Sequence, residues 1–281
     1  MDQLHLNPPE IAQRFIEVGM KKSKLPIYKL LLLGIMGGAF IAFASEGSNA
    51  AIHTIESVGI AKALAGALFS TGLMLVVITG AELFTGSTLL VVSAAQKLSS
   101  WKGMLKNWFF VYIGNFIGAM LIVLLVFWSG QFDFSNGLLG AFTIKVAAHK
   151  TGLPFLEALT MGILCNWLVC LAIWMGFSTR DITGKLLTIF FPIWLFITSG
   201  FEHSIANMYY IPAGILAKMN PEWAAGALKL GVSKEALATL DWNTFIINNL
   251  FPVTLGNIIG GSFFVGFLFW LSFLYKPQKF E

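Results

Sequence analysis

The residue best suited to chemistry in this 281-residue chain is His203, which lies in an apolar run just after a glycine and a glutamate. An imidazole changes charge near neutral pH, so it can exchange a proton or donate a hydrogen bond to a small polar molecule. Ionisable side chains inside long apolar segments are rare and are usually functional. We therefore expect His203 to act on a bound or passing molecule; the alternative is a histidine hydrogen-bonded within a helix bundle.

Two glutamates occupy equivalent places in the chain. Glu82 follows Thr79-Gly-Ala, and Glu202 follows Ser199-Gly-Phe, 120 positions later. An unpaired carboxylate is costly in an apolar environment. We expect both glutamates to satisfy backbone N–H groups and polar side chains where a helix is broken, in preference to touching a substrate.

Other side chains could line the same site. Thr85 follows the first glutamate closely, and Lys150 precedes an apolar window, where its charge would attract anions; a solvated loop lysine is the alternative. Polar side chains also interrupt apolar stretches at Asn115, Asn166 and Asn257. The bulky apolar residues near the glutamates could form narrow constrictions or simply pack in the core; they are Phe69, Leu73, Leu83, Phe84 and Phe196.

No pattern in the sequence predicts an enzyme. A phosphate-binding P-loop, a serine nucleophile elbow and an HExxH zinc motif are all absent from the sequence. Cys165 and Cys170, five residues apart on one predicted helix, are expected to be packing residues. We therefore expect no catalytic residue, no metal, no cofactor and no nucleic-acid partner.

The composition indicates which elements must position these residues. Hydrophobic residues make up 57% of the chain, charged residues 11%, and the mean hydropathy is +0.77. A soluble domain has about 25% charged residues. The composition excludes a cytosolic enzyme, a disordered chain and a nucleic-acid module, and it predicts an all-α, multi-pass protein of the cell membrane.

Uncharged windows predict six membrane spans, of which the second and fifth are broken near the middle by a glycine and a glutamate. The windows are 30–45, 63–81 with 83–96, 107–132, 158–179, 186–201 with 203–217, and 242–275. Twelve Lys and Arg residues fall on one side of these spans and six on the other, so both termini are expected in the cytoplasm.

The domain organisation follows from these windows: a cytoplasmic N-terminal helix over 1–26, a six-span unit over 27–275 and a cytoplasmic tail over 276–281. Ile11, Phe15 and Val18 lie at helical spacing before a basic cluster, which predicts an amphipathic helix in the membrane interface. This helix is expected to be either an anchor or a mobile gate beneath a pore.

The chain also contains an internal repeat. Segments 107–128 and 249–270 share 10 of 22 residues at an offset of 142, and the two glycine–glutamate breaks correspond at an offset of 120. Three spans per repeat give the halves opposite orientations, and inverted repeats with broken helices are typical of transport proteins. Helix N-termini at two such breaks would favour an anion near the midplane.

The sequence resembles the formate/nitrite transporter family over nearly its whole length. The motifs that carry the resemblance are GAELFTG at 80–86, KNW at 106–108, GNFIGA at 114–119, GFEHSIANM at 200–208 and PVTLGNIIGG at 252–261. The resemblance implies an aquaporin-like protomer, a homopentamer and one pore in each subunit.

The resemblance also implies roles for individual residues. His203 looks like the family's central pore histidine, Thr85 like the threonine opposite it, Lys150 like the vestibule lysine and Asn166 like the asparagine near that lysine. Phe69 and Phe196 look like the outer constriction, and Leu73 and Leu83 like the inner one. The run MYYIPAG at 208–214 and the long fifth loop look more like the formate branch, whereas Glu82 is an aspartate in some formate channels.

The sequence therefore predicts a transport protein for small monovalent weak-acid anions, with formate as the expected cargo. The alternatives are nitrite or hydrosulfide within the same family, an intramembrane enzyme and a purely structural membrane protein. We expect His203 to give a proton to the anion at a dry constriction, so that a His203→Asn variant has an altered pH dependence of flux; a passive channel with hydrogen bonding alone is the competing mechanism.

Overall fold

The structure, a computed structural model, describes residues 5–276 and is helical apart from one isolated antiparallel bridge between His5 and Thr179. The expected tail over 276–281 lies outside the described residues except for Lys276, and so do residues 1–4. The backbone N–H of Leu6 donates to the Ser178 carbonyl at 2.7 Å, which joins the start of the described chain to the loop before the eighth helix.

Twelve helices account for most of the described chain. They are α1 (Pro8–Lys22), α2 (Ile27–Ile52), α3 (Val58–Thr79), α4 (Phe84–Ala95, with a 3₁₀ turn at Thr88–Leu90), α5 (Trp101–Trp128), α6 (Leu138–Thr151), α7 (Phe155–Gly176), α8 (Ile182–Thr198), α9 (Ser204–Ala217), α10 (Pro221–Lys229), α11 (Lys234–Thr239) and α12 (Trp242–Phe273). A short 3₁₀ turn, Gln131–Asp133, precedes α6, and α12 contains two π-helical stretches, Phe245–Leu250 and Gly260–Phe267.

Five of these helices are long and apolar enough to cross a membrane: α2, α3, α5, α7 and α12. Helices α4 and α8 are apolar but shorter. The helices that precede the two predicted breaks differ in length. Helix α3 has 22 residues before Gly80, and at 1.5 Å per residue this matches the roughly 30 Å hydrocarbon core of a bilayer. The first break therefore follows a full-length helix, whereas the second follows the 17-residue α8.

Close helix packing explains the glycines of α2 and α5. A β-carbon built on Gly118 would lie 1.9 Å from the Ile35 carbonyl oxygen, and one built on Gly38 would lie 2.0 Å from the Asn115 carbonyl oxygen. Only glycine permits backbones to approach this closely, as in small-residue helix contacts of membrane proteins. Helices α7 and α12 form the corresponding contact in the second half, through Gly162 and Gly256.

The apolar face of α1 packs against the protein. Asn7 and Glu10 form a capping box at its start, Ile11 and Phe15 are buried, and the Phe15 ring stacks on Trp174 of α7 with centroids 4.6 Å apart. The sequence predicts an amphipathic helix in the membrane interface, and the structure has a helix here whose buried face includes Ile11 and Phe15. Its apolar side chains find a partner surface on α4 and α7 of the same chain.

Candidate functional site

Two chain breaks with left-handed glycines define the site. Gly80 (φ +79°) ends α3, and Gly200 (φ +75°) follows the end of α8; both conformations suit glycine. Three non-helical residues follow each glycine, and then α4 and α9 begin. Leu83 and His203 are the extended residues directly before these helices, so each break presents a helix N-terminus inside the protein.

Equivalent asparagines hold the two breaks. Asn115 accepts from Phe84 N–H at 2.9 Å and donates to the carbonyls of Gly34 (2.7 Å) and Glu82 (2.9 Å). Because these groups are buried, each unmade hydrogen bond would be costly.

Asn257 makes the same three contacts at the second break. It accepts from Ser204 N–H at 2.9 Å and donates to the carbonyls of Gly162 (2.8 Å) and Glu202 (3.0 Å). The sequence interpretation grouped Asn257 with the substrate-facing residues, whereas here its amide binds backbone.

Each break carboxylate forms an ion pair with a lysine. Glu82 binds Lys22 at 2.9 Å, and Glu202 binds Lys150 at 2.7 Å. Both glutamates are buried, so pairing is what makes their charges tolerable. The carboxylates of Glu82 and Glu202 accept hydrogen bonds from lysines and from polar side chains. The sequence analysis also expected them to accept from backbone N–H groups, and within residues 5–276 no such hydrogen bond is found. We call the side of the site with Lys22 the α1 mouth and the side with Lys150 the α6 mouth.

The centre of the site is a buried hydrogen bond between His203 Nε2 and Thr85 Oγ1, 3.1 Å long. His203 is also the N-cap of α9, and its Nδ1 accepts from Ala206 N–H at 3.0 Å. A backbone N–H can only donate, so in the neutral ring the hydrogen is on Nε2 and is donated to Thr85. The Thr85 hydroxyl hydrogen then remains available. Two donors, one from each break, converge on the same buried point.

The predicted outer constriction packs directly on this histidine. The Phe69 and Phe196 rings lie 5.7 Å apart, and their centroids are 6.5 and 6.0 Å from the imidazole. Leu73 is buried in the same core. Leu83 borders the cavity beneath the first break. Phe84 instead packs between Trp108 and Tyr112, away from the imidazole, so the structure does not bring it to the centre.

Asn166 contacts the backbone at Thr85 and at Asn257. Its amide donates to the carbonyls of Thr85 (3.2 Å) and Asn257 (2.6 Å) and to the Thr88 hydroxyl (3.2 Å). Cys170 also reaches the Thr85 carbonyl, at 3.4 Å. These side chains fix the backbone at Thr85. In the part of the chain that the structure describes, no cluster of three or more His, Cys, Asp or Glu side chains could hold a metal ion.

A cavity of about 250 Å³ lies between α1 and the first break, and both members of the Lys22–Glu82 ion pair line it. Its lining includes Phe15, Gly19 and Lys22 from α1, and Glu82 and Leu83 from the break. Gly19 is in close contact with α4, because a β-carbon there would lie 2.1 Å from Ser93 Oγ. Helix α1 therefore covers the α1 mouth.

The sequence interpretation missed Lys22, Asn207 and Asn249, which contact the break carboxylates or their lysines. A repeat offset would have indicated Lys22: 128 positions separate Lys22 from Lys150, and the same offset relates Gly34 to Gly162. The offset of 128 relates α1 and α2 to α6 and α7, which lie outside the segments in which the repeat is visible as sequence identity.

Comparisons with known proteins found similar sequences and solved structures. A family model described as "Formate/nitrite transporter" matches residues 9–271. The formate channel FocA of Escherichia coli (strain K12) is 40% identical over 274 residues, covering 96% of this chain and 95% of the relative. A solved pentameric formate channel with formate bound is 42% identical, with a TM-score of 0.79, over 89% of this chain and 98% of that one. An FNT family ion channel is 27% identical, with a TM-score of 0.78, over 95% of this chain and 99% of that one.

Proposed function

The chain belongs to the formate/nitrite transporter family, and we propose that it carries formate across a membrane through the site at His203 and Thr85. It is an all-helical integral membrane protein, and its relatives are channels and transporters, which agrees with a function other than catalysis. The observation that carries the proposal is the pair of hydrogen-bond donors that meet, buried, between two helix breaks.

The proposed architecture has six spans in two inverted repeats of aquaporin-like form, with α8 and α9 together forming the fifth span. The matched hydrogen bonds of Asn115 and Asn257, 142 positions apart, support this arrangement. We further propose a homopentamer, since a pentameric formate channel is 42% identical to this chain. The α1 mouth is proposed to face the cytoplasm, with both termini, because most Lys and Arg residues lie on that side.

Entry of the anion is proposed to depend on the two lysines. A bare anion pays a desolvation penalty of several kcal/mol in a dry constriction. Lys150 at the α6 mouth and Lys22 at the α1 mouth lower that penalty through their ammonium N–H groups, and the N-termini of α4 and α9 add favourable dipoles.

At the centre, neutral His203 is proposed to transfer its Nε2–H hydrogen bond from Thr85 Oγ1 to the arriving anion, while Thr85 donates its hydroxyl hydrogen to the same anion. An imidazolium would carry a second hydrogen on Nδ1, facing the Ala206 N–H, and would lose the N-cap of α9. Proton transfer from His203 therefore requires movement at the start of α9, whereas hydrogen bonding by the neutral ring does not. We propose hydrogen bonding as the resting mechanism.

Purified protein in proteoliposomes should take up formate faster than nitrite, hydrosulfide or lactate across the tested pH range. The measurement is initial uptake with membrane potential recorded, and protein-free liposomes are the control. Uptake that rises as pH falls with little current would indicate passage as the neutral acid; steady current with weak pH dependence would indicate an anion channel. Absence of formate uptake, or a clear preference for another of these anions, would contradict the proposal.

Helix α1 is proposed to gate the α1 mouth, and Gly19→Ala tests this. The added methyl group would overlap Ser93 Oγ, so α1 must move away from α4 and the cavity beneath the first break should open. We expect the formate flux to rise by about twofold or more at a pH where the wild-type flux is low. The double variant Gly19→Ala/Ser93→Gly removes the overlap and should restore the wild-type rate; equal flux in all three proteins would contradict the gate.

A further inference from the structure

We propose that Asn249 is a positioning residue for Lys150: its amide binds Glu202 and the Lys150 backbone so that the Lys150 ammonium keeps a hydrogen-bond donor for the anion at the α6 mouth. This inference rests on the proposed function and assigns a part in it to a residue far from the centre of the site. Asn249 lies in the first π-helical stretch of α12, Phe245–Leu250.

The contacts of Asn249 all belong to the ion pair and its surroundings. Its Nδ2 donates to the Lys150 carbonyl at 2.9 Å and to Glu202 Oε2 at 3.2 Å, and its Oδ1 accepts from Asn207 Nδ2 at 2.6 Å. The side chain is fully buried. Polar groups buried this deeply are costly unless hydrogen-bonded, and every contact that the structure gives this amide leads to the Lys150–Glu202 pair.

The two carboxylate oxygens of Glu202 have different partners. Oε2 receives N–H groups from Asn207 at 2.7 Å and from Asn249, whereas Oε1 binds Lys150 at 2.7 Å. Lysine has three N–H donors, and Glu202 uses one. The ammonium also lies 5.2 Å from the Tyr210 ring centroid, and 13% of the Lys150 side chain is exposed. The amides thus bind one carboxylate oxygen and Lys150 binds the other, through one of its three N–H groups.

The turn that carries Asn249 departs from α-helical geometry. π-helical turns are rare and often occur at functional sites, since the wider turn redirects side chains that a regular helix would place elsewhere. Here the stretch that departs from regular geometry carries the amide that contacts both members of the ion pair. A packing role would not require these polar contacts.

Asn107 offers a matched control. It is related to Asn249 by the repeat offset of 142, and it is also fully buried, at the α1 mouth. Its Nδ2 reaches the Lys22 carbonyl only at 3.5 Å, and its Oδ1 has no hydrogen-bond partner. The same residue type at the equivalent position thus lacks the carboxylate contact that defines the Asn249 role.

The test uses full-length Asn249→Leu and Asn107→Leu variants in right-side-out and inside-out membrane vesicles, with labelled formate. Asn249→Leu is expected to raise the half-saturating formate concentration about tenfold for uptake from the α6 mouth, because one hydrogen bond to a charged group is lost. The maximal rate should stay within about twofold of wild type. Asn107→Leu should not change that concentration. In a Glu202→Gln background, Asn249→Leu should have a much smaller effect, because the two residues act together.

The outcomes separate the inference from the proposed function. Wild-type vesicles that take up no formate would overturn both. A wild-type protein that transports formate, with an Asn249→Leu variant of unchanged half-saturation, would overturn the inference alone; so would an equal change in half-saturation from both mouths. Should the leucine variant fail to fold, Asn249→Asp keeps the volume of the side chain, places a carboxylate against Glu202 and is expected to raise the half-saturating concentration in the same direction.

Discussion

A His203→Asn variant is expected to fold normally and to transport formate at least about tenfold more slowly, because it loses a hydrogen bond to a charged group in a dry site. Asparagine is a good N-cap residue, so its Oδ1 can still accept from Ala206 N–H and α9 should begin at the same residue. The shorter side chain does not reach Thr85, whose hydroxyl lies 3.1 Å from the imidazole in the native protein. Flux in proteoliposomes and the thermal stability of the purified variant are the two measurements.

The shape of the pH profile decides between the two roles of His203. If the neutral ring only donates a hydrogen bond, flux falls at every pH and keeps the wild-type dependence, which then comes from protonation of the substrate. A flattened profile in the variant would instead assign proton donation to His203. His53→Asn is the matched control, because His53 binds the Ala50 carbonyl and the Ser135 hydroxyl outside the site, both at 2.8 Å, and its loss should leave flux unchanged.

A Gly118→Ala variant is expected to lose several kcal/mol of stability, at or above the roughly 1–3 kcal/mol of ordinary overpacking, because the colliding atom belongs to the backbone. The added β-carbon would lie 1.9 Å from the Ile35 carbonyl oxygen, so α2 and α5 must separate. Asn115, one turn away on α5, would then lose its contact with the Gly34 carbonyl, and the first break would lose a support. Thermal unfolding in detergent measures the first effect and formate flux the second.

Gly47→Ala is the control for this substitution. Gly47 lies in α2 as well, but a β-carbon there meets no atom within 4 Å. Alanine has a higher helix propensity than glycine, so this variant should be as stable as the wild type or slightly more stable. A Gly118→Ala protein that matches Gly47→Ala in melting temperature and flux would show that the two helices are not held at the distance described here.

Much of the site could be predicted from sequence because its parts occur twice. The two glycine–glutamate breaks indicated where helices stop, and the position of His203 beside the second break indicated the centre. These two inferences needed only apolar windows and the positions of a few polar residues within them. The pairing of His203 with Thr85 was implied by the resemblance to the formate/nitrite transporter family.

The remaining features depend on geometry that periodicity does not encode. The contact of Asn249 depends on π-helical backbone in α12, which no spacing of apolar residues indicates. Whether α1 lies on lipid or on protein depends on the partner surface, since the same apolar face of Ile11 and Phe15 suits either. The acceptor role of His203 Nδ1, which bears on proton transfer, required the position of one backbone N–H.

The lysine partners of Glu82 and Glu202 have a consequence for electrical behaviour. The membrane potential does work of about 2.3 kcal/mol on one elementary charge moved across 100 mV, so voltage sensors carry several unpaired charges. At each break here the negative charge and its counter-ion lie within 3 Å of each other, so a segment that moves with both carries almost no gating charge. Movements that keep each pair together should therefore be nearly independent of voltage, and the potential should act on the permeating anion instead.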